Sequence, residues 1–252
     1  MPDASRLSAI YPSLKGKRVL ITGGGSGIGA GIVEAFARQG CDVTFIDINN
    51  KDSEELAQRT GTRFLRIDLT DTSATQQAIR ELIDEAGSID VLVNNAANDD
   101  RHSIADITED YWNDRLNVNL KHQFFCAQAV LPSMRTKGDG VIINMGSISW
   151  HLGLPDLLLY ETCKAAIEGL TRALAREVGP DNIRVNCVVP GNVRTPRQLK
   201  WYTPEGEAEI VDAQCLKGRL VPEDIAAMIL FLASDDARLM TGHEYFVDAG
   251  WR

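Results

Sequence analysis

The sequence predicts an α/β fold, a single doubly wound parallel sheet of about seven strands with helices on both faces. Short runs rich in Val, Ile, Leu and Phe recur along the chain, and such nearly continuous apolar runs are typical of parallel strands buried on both faces. The segments between these runs repeat their apolar residues with helical spacing, and strands that alternate with helices indicate βαβ units. The predicted strands are residues 18–22, 42–47, 62–68, 90–94, 140–145, 183–189 and 243–247.

The segment after the first strand illustrates the helical pattern. Ile32, Val33 and Phe36 fall on one face of a predicted helix over 27–39, and Gly40 follows as a stop signal. The later strands are joined by segments of similar length and pattern, so each pair of strands is predicted to be connected by a helix that covers the sheet.

The chain is predicted to form one domain over residues 15–252, since it contains no internal repeat and no linker rich in Pro, Gly or Ser. Residues 1–14 are predicted to be an N-terminal extension. The least regular segment is 191–218, which follows a strand and contains Pro196 and Pro204. Long irregular segments at the carboxyl ends of sheet strands often cover the ligand, so this segment is predicted to be a substrate lid.

Composition excludes several classes of protein. With 26 Lys and Arg against 35 Asp and Glu, the 252-residue chain has a net charge of −9, which disfavours nucleic acid as a partner. Five cysteines without a CxxC pair and four histidines without ligand-like spacing predict neither a disulfide framework nor a metal site. The longest apolar run, 226–233, is too short to span a membrane. We expect a cytoplasmic protein that neither binds a membrane nor holds a metal ion.

A glycine-rich turn directly follows the first strand and opens the first helix. Glycines in this position let the chain turn sharply and let backbone N–H groups approach a pyrophosphate at the positive end of the helix dipole. The pattern predicts a Rossmann-type dinucleotide site, and its placement between strand and helix makes it far more specific than the glycines alone. The residues assigned to this turn are Gly23, Gly25, Ser26, Gly27, Ile28 and Gly29.

The cofactor is predicted to be NAD rather than NADP, because the second strand ends in Asp47. A carboxylate there can accept hydrogen bonds from both adenosine ribose hydroxyls, whereas it would repel a 2′-phosphate. Ile48 is also assigned to the cofactor site. Neither Ser26 nor Ile48 offers a positive charge that would offset the repulsion of a 2′-phosphate. The alternative is that Asp47 merely caps the next helix. The remaining residues predicted beside the adenosine half are Asp68, Leu69, Asn95, Ala96 and Ala97.

Tyr160 and Lys164 share one face of a predicted helix because they stand at i and i+4. A tyrosine with a pKa of about 10 needs that pKa lowered by about three units to act as a base at neutral pH. A neighbouring ammonium can contribute to the lowering. The pair alone is common in helices. Here Ser147 ends the fifth strand, and Asn119 lies in the helix between the fourth and fifth strands.

These motifs together resemble the short-chain dehydrogenase/reductase superfamily over residues 15–252, since its TGxxxGxG, NNAG, Asn, Ser, YxxxK and PG patterns occur here in order. The resemblance implies that Tyr160 is the general base, that Lys164 lowers its pKa and holds the nicotinamide ribose, that Ser147 orients the reacting oxygen, and that Asn119 holds a water of the proton relay. It also implies a homotetramer. The nicotinamide half would contact Pro190, Gly191, Val193 and Thr195 together with Tyr160 and Lys164.

Within the superfamily, residues 10–17, 98–102, 146–153, 189–193 and 242–252 resemble the NAD-dependent members that oxidise D-xylose at C1. The resemblance implies oxidation of a cyclic aldopentose to its lactone. Two positions depart from the superfamily pattern. Ala97 replaces a usual glycine, and Gly146 stands where a serine is common.

A sugar substrate needs hydrogen-bonding groups and an aromatic face, and the sequence offers both near the predicted site. L-arabinose or another aldose is the first alternative to D-xylose. The sequence is also compatible with a secondary-alcohol dehydrogenase, an oxoacyl reductase or an NAD-sensing regulator without chemistry. The candidate substrate residues are Asn98, Ser147, Trp150, His151, Tyr160, Asn192, Gln198 and Trp201.

Overall fold

The computed structural model describes residues 7–200 and 202–252 and contains a parallel sheet of seven strands in the order β3-β2-β1-β4-β5-β6-β7. The predicted doubly wound α/β fold is therefore confirmed. Most predicted strands are found within one residue of their expected ends, whereas β3 is shorter than the predicted 62–68. The strands are β1 Arg18–Thr22, β2 Asp42–Asp47, β3 Arg63–Arg66, β4 Val91–Asn94, β5 Gly140–Met145, β6 Ile183–Pro190 and β7 Glu244–Val247.

The two faces of the sheet carry two separate hydrophobic cores, because successive side chains of a strand point to opposite faces. Val19 and Ile21 of β1 pack in one core, and Leu20 packs in the other. Helices α1, α2 and α9 contribute to the first core, and α3, α5 and α7 to the second. The helices are α1 Gly27–Arg38, α2 Asn50–Thr60, α3 Thr72–Ala86, α4 Glu109–Leu116, α5 His122–Lys137, α6 Ser149–Leu152, α7 Leu158–Val178, α8 Pro204–Ala213 and α9 Pro222–Ala233.

The order of strands places a topological switch point between β1 and β4. The chain winds outward from β1 through β2 to β3, and then crosses to β4 on the other side. In sheets of this kind the ligand binds in the crevice outside the carboxyl ends of the strands at that point. The glycine-rich turn after β1 and residues 95–98 after β4 both lie there.

Two segments, the end of the predicted extension and residues 191–218, carry more order than the sequence indicated. Leu14 is fully buried in the core, and the Tyr11 N–H donates to the side chain of Gln39 at 2.9 Å, so the end of the predicted extension packs on the domain. The 191–218 segment contains α8, a ten-residue helix capped by Thr203. Within the described ranges, no helix is long and apolar enough to cross a membrane.

Candidate active site

The glycine-rich turn leaves no room for side chains at several positions, including Gly23 and Gly29. Gly23 has a φ of 65°, and a Cβ there would lie 2.6 Å from the Cα of Ala96. A Cβ on Gly29 would lie 1.9 Å from the Gly23 carbonyl oxygen, so the turn folds tightly onto the start of α1. Ser26, the N-cap of α1, makes no side-chain capping hydrogen bond. Because a helix leaves its first N–H groups without intrahelical partners, this end of α1 offers them to an anion.

Asp47, the last residue of β2, holds its carboxylate against the glycine turn. Its Oδ2 accepts a hydrogen bond from the Gly25 N–H at 2.8 Å, and its Oδ1 accepts one from the Asn49 N–H at 2.9 Å. Ile48 beside it is 64% exposed, and Arg66 of β3 is the register partner of Asp47. Each carboxylate oxygen keeps a further lone pair for a ribose hydroxyl.

Asn95 braces the turn from the end of β4. Its Nδ2 donates to the carbonyl oxygens of Thr22 and Gly23 at 3.1 and 2.9 Å, and the N–H groups of Asn95 and Ala96 donate to the Thr22 hydroxyl at 3.0 and 3.1 Å. The backbone of Ala97 does not adopt a positive φ, so its side chain brings no strain where the resembled family usually has glycine. Residues 95–97 therefore fix the shape of the turn through hydrogen bonds that join side chains to backbone.

Asp68 and Leu69 lie just beyond β3. Asp68 Oδ1 accepts hydrogen bonds from the N–H and the hydroxyl of Thr70 at 2.9 and 2.7 Å, while Leu69 packs against the second core. Asp68 Oδ2 is therefore the oxygen that remains for an adenine amino group.

The segment after β6 lies opposite the glycine-rich turn, and the two together are called the cradle here. Gly191 donates its N–H to β7 at 2.9 Å, directly after Pro190, the last residue of β6. Val193 is 4% exposed and bridges to the segment before α9. A Cβ on Gly27 would lie 3.4 Å from the Cγ2 of Thr195, so Thr195 stands directly across from the glycine turn.

Tyr160, Lys164 and Ser147 meet at the carboxyl end of β5. Lys164 is 1% exposed, its Nζ donates to the Met145 carbonyl at 2.8 Å, and Nζ lies 5.3 Å from the centroid of the Tyr160 ring. The Ser147 hydroxyl lowers the pKa of the Tyr160 phenol, and its Oγ lies 2.9 Å from the Oγ of Ser149. A buried ammonium, a phenol and a hydroxyl therefore share one small volume, as an alcohol-oxidising site requires.

Burial shifts the proton equilibria of both titratable groups, because each charged form loses water. It raises the pKa of Tyr160, Asp99 raises that pKa further, and the Ser147 hydrogen bond and the charge of Arg197 lower it. Burial lowers the pKa of Lys164 to about 8. In the chain alone burial outweighs the lowering contacts, so a tyrosine base needs one more positive charge in the site.

Asn119 is fully buried in a π-helical turn, Asn117–Lys121, between α4 and α5. Its Oδ1 accepts a hydrogen bond from the Asn98 N–H at 2.7 Å, and its Nδ2 donates to the carbonyl oxygens of Asn98 and Arg115 at 3.1 and 3.0 Å. The side chain therefore holds the loop after β4 in place. Because this amide is engaged with backbone, a relay water would have to bind the backbone of Asn119.

The residues of the cradle fit a nicotinamide dinucleotide. The evidence is the tight turn at the N-terminus of α1, the carboxylate fixed at the end of β2, and a buried lysine at the carboxyl end of β5. Such a cofactor in its oxidised form supplies an acceptor for hydride and a positive charge. Within the described ranges, no three His, Cys, Asp or Glu side chains group closely enough to hold a metal ion. The residues that would hold the cofactor are Gly23, Gly25, Ser26, Gly27, Ile28, Asp47, Asp68, Lys164, Gly191 and Thr195.

The ring nitrogens of Trp150 and His151 are engaged by a buried carboxylate that sequence patterns did not single out. Glu168 Oε1 accepts a hydrogen bond from Trp150 Nε1 at 2.8 Å and lies 3.0 Å from His151 Nε2. Glu168 is 8% exposed and lies one turn beyond Lys164 on α7. That Trp150 and His151 line the substrate side remains a prediction, although Trp150 Nε1 and His151 Nε2 both contact the Glu168 carboxylate. A Cβ on Gly146 would lie 3.4 Å from the same carboxylate, in the position where a serine is common.

Asn192 and Gln198 stand in a chain of polar contacts across the 191–218 segment. Asn192 lies 2.5 Å from the Tyr202 hydroxyl, which lies 2.8 Å from Gln198 Oε1, and Gln198 donates to Asp99 at 2.7 Å. Arg219 donates to Asn192 Oδ1 at 2.8 Å from the far side. These two amides therefore belong to one connected polar network, and their role in binding the substrate remains a prediction. The candidate Trp201 lies outside the described residues.

Comparisons with known proteins find relatives that match nearly the whole chain. A family profile described as "Enoyl-(Acyl carrier protein) reductase" matches residues 23–252. The chain is 65% identical to a D-xylose 1-dehydrogenase of Caulobacter vibrioides (strain NA1000 / CB15N), over 97% of this chain and 99% of that one. It is 46% identical to a protein of Rhizobium meliloti (strain 1021) named "Probable galactose dehydrogenase GalD", over 96% and 98% of the two chains. The solved structure of gox2181 superposes with a TM-score of 0.89 at 28% identity, covering 95% of this chain and 98% of that one.

The profile covers nearly the whole chain, and the two sequence relatives extend over almost its full length at high identity. The glycine-rich turn and residues 95–98 lie at the switch point of the sheet, and Ser147 and Pro190–Gly191 follow the neighbouring strands β5 and β6. The chain is an oxidoreductase and belongs to the short-chain dehydrogenase/reductase family.

Proposed function

We propose that the protein oxidises a cyclic aldose at C1 to the aldonolactone with NAD as the hydride acceptor, and that D-xylose is the preferred sugar. The observation that carries the proposal is the cluster of Tyr160, Ser147 and the buried Lys164 in a chain 65% identical to a D-xylose 1-dehydrogenase. The relative named for galactose, at 46% identity, supports the wider class of aldoses as substrates.

The preference for NAD is supported by the Asp47 carboxylate. Its two oxygens are tethered to the N–H groups of Gly25 and Asn49, so it cannot swing away from the ribose position. A 2′-phosphate at about 4 Å would be opposed by about 4 kcal/mol at an effective dielectric constant near 20. Ile48, the neighbouring side chain, offers no charge to offset that repulsion.

The roles of the residues follow from their contacts. Ser147 lowers the pKa of the Tyr160 phenol, so we assign it to orient the substrate oxygen toward the base. Tyr160 takes the proton of the anomeric hydroxyl, and Lys164 holds positive charge beside the tyrosinate from its anchor on Met145. Loss of hydrogen from C1 of a cyclic sugar gives a lactone, which ester resonance stabilises, so oxidation is the favoured direction.

The proposal is tested by NADH formation with D-xylose, L-arabinose, D-galactose, D-glucose and an acyclic secondary alcohol, each with NAD and with NADP. We expect D-xylose with NAD to give the highest kcat/KM. Pentose epimers should be slower by about tenfold to a hundredfold, because the wrong epimer leaves a buried polar group unpaired. The first product in the NMR spectrum should be the lactone. Highest activity on the acyclic alcohol, or a ketose product, would contradict the proposal.

A further inference from the structure

Glu168 joins the long helix α7 to the short helix α6. Its Oε1 accepts a hydrogen bond from Trp150 Nε1 at 2.8 Å and lies 3.0 Å from His151 Nε2. Because a carboxylate oxygen only accepts, His151 Nε2 is the donor in the second contact. The centroids of the two rings lie 3.8 Å apart, and the His151 side chain is 8% exposed. The buried carboxylate therefore holds α6 against α7 through two neighbouring residues.

The same carboxylate lies close to the residues around Ser147. A Cβ on Gly146 would lie 3.4 Å from Glu168 Oε1, so this oxygen faces the backbone directly before Ser147. Helix α6 begins at Ser149, whose Oγ lies 2.9 Å from Ser147 Oγ and whose N–H donates to that oxygen at 3.2 Å. Glu168 therefore reaches the Ser147 hydroxyl through one hydrogen bond to Trp150, the adjacent Ser149 and a second hydrogen bond.

A second contact from α7 holds the chain on the other side of Ser147. Lys164 Nζ donates to the carbonyl oxygen of Met145 at 2.8 Å, two residues before Ser147. Lys164 and Glu168 stand at i and i+4, so both contacts come from one face of α7. Lys164 is also among the residues that would hold the cofactor. The Glu168 contact is therefore the one that α7 does not share with the cofactor.

We infer that Glu168 is a positioning residue, which holds Ser147 in its working orientation by fixing α6 to the helix of Tyr160. The inference rests on the proposed function, in which Ser147 orients the substrate oxygen toward Tyr160. Tyr160 and Glu168 belong to one helix, so a shift of α6 against α7 also shifts Ser147 against the base. A displacement of about 1 Å at a reacting group can cost about a hundredfold in rate, so the Glu168 contact affects turnover.

The first test compares E168L, which offers no acceptor, with E168Q, which keeps the Oε1 acceptor without the charge. We expect E168L to lower kcat by about tenfold to a hundredfold, because both ring N–H groups lose their partner and α6 can shift. E168Q should stay within a few-fold of wild type, since a neutral amide oxygen still accepts both hydrogen bonds, although more weakly. The NAD Kd, measured by calorimetry, should stay within a few-fold in both variants.

E177L is the matched control, because it makes the same substitution at an exposed position of the same helix. Its kcat should equal that of wild type. Thermal melts show whether each variant folds. W150F removes one of the two donors and keeps an aromatic ring, so it replaces E168L in every comparison of kcat if E168L does not fold.

A double-mutant cycle with S147A separates positioning from a general loss of structure. S147A removes the hydroxyl that Glu168 is inferred to position, so E168L should lower kcat by less than about threefold in the S147A protein. Damage elsewhere in the site would instead lower kcat by the same factor with and without that hydroxyl.

The contact itself is measured without turnover, by NMR of the isotopically labelled protein. The Trp150 indole N–H resonance is identified as the one that W150F lacks. It should move upfield in E168L, because a hydrogen-bonded N–H resonates downfield of a free one. In E168Q it should move only slightly.

Wild-type kcat in folded E168L, or an equal effect of E168L with and without the Ser147 hydroxyl, would overturn the inference. So would an indole resonance that E168L leaves in place. If another alcohol from the panel is the better substrate, the cycle is measured on that alcohol, and the sugar assignment fails separately. A wild-type protein that oxidises no alcohol at all overturns both, even where the indole resonance shows the contact.

Discussion

Tyr160→Phe is expected to reduce turnover to below about a hundredth of the wild-type value while NAD affinity stays within a few-fold. The change removes the hydroxyl that would take the substrate proton and leaves the ring beside Lys164 in place. Ser147 keeps a partner, since its Oγ lies 2.9 Å from the Oγ of Ser149, so the serine hydroxyl is not left unpaired. Turnover is followed by NADH absorbance, and the NAD Kd by calorimetry.

Tyr245→Phe is the matched control, because it removes the same hydroxyl from β7 rather than from the site. Its kcat/KM should equal that of wild type. Residual activity of Tyr160→Phe above about a hundredth would show that another group takes the proton. A large loss of NAD affinity would instead show that the hydroxyl serves mainly in binding.

The double change Asp47→Ala and Ile48→Arg is expected to reverse the cofactor preference. Removal of the carboxylate takes away the ribose hydrogen bonds, which weakens NAD by about tenfold to a hundredfold. It also removes the repulsion of a 2′-phosphate, and the new guanidinium offers that phosphate a bidentate partner. The measurement is kcat/KM for NAD and NADP in the same preparation.

Asp52→Ala controls for loss of a nearby charge, since Asp52 lies in the first turn of α2 and contacts Asn49 rather than the glycine turn. It should keep the wild-type preference. Thermal melts are needed because Asp47 also tethers Gly25. If a folded double variant still prefers NAD as strongly as wild type, Asp47 is not the residue that selects the cofactor.

The architecture could be predicted from sequence because its central strands are buried on both faces. β5 is buried at all six positions, and its apolar run predicts both ends correctly. β3 is exposed at both ends, Arg63 and Arg66. Because burial does not mark its limits, the apolar pattern predicted a longer strand, 62–68, than the structure has. α8 was missed because its start, Pro204 to Glu207, resembles a turn. Thr203 followed by Pro204 was the available signal for a helix start.

The candidate site could be predicted where its residues sit in short sequence motifs. The position of Glu168 on the face of Tyr160 and Lys164 could also have been predicted, because the three residues are each four positions apart in a helix. Asp99 and Arg197 gave no such signal, since their contact depends on how the 191–218 segment meets the loop after β4. The same holds for Trp150 and His151, whose residue types suit a sugar but whose ring nitrogens bind Glu168.

The most direct test of the proposed reaction follows the hydrogen at C1. D-xylose deuterated at C1 is incubated with NAD and the protein, and the NADH formed is recovered for mass spectrometry. Oxidation at C1 predicts NADH that carries the deuterium and an aldonolactone that has lost it. NADH recovered without deuterium would contradict the account, because the hydride would then have left another carbon.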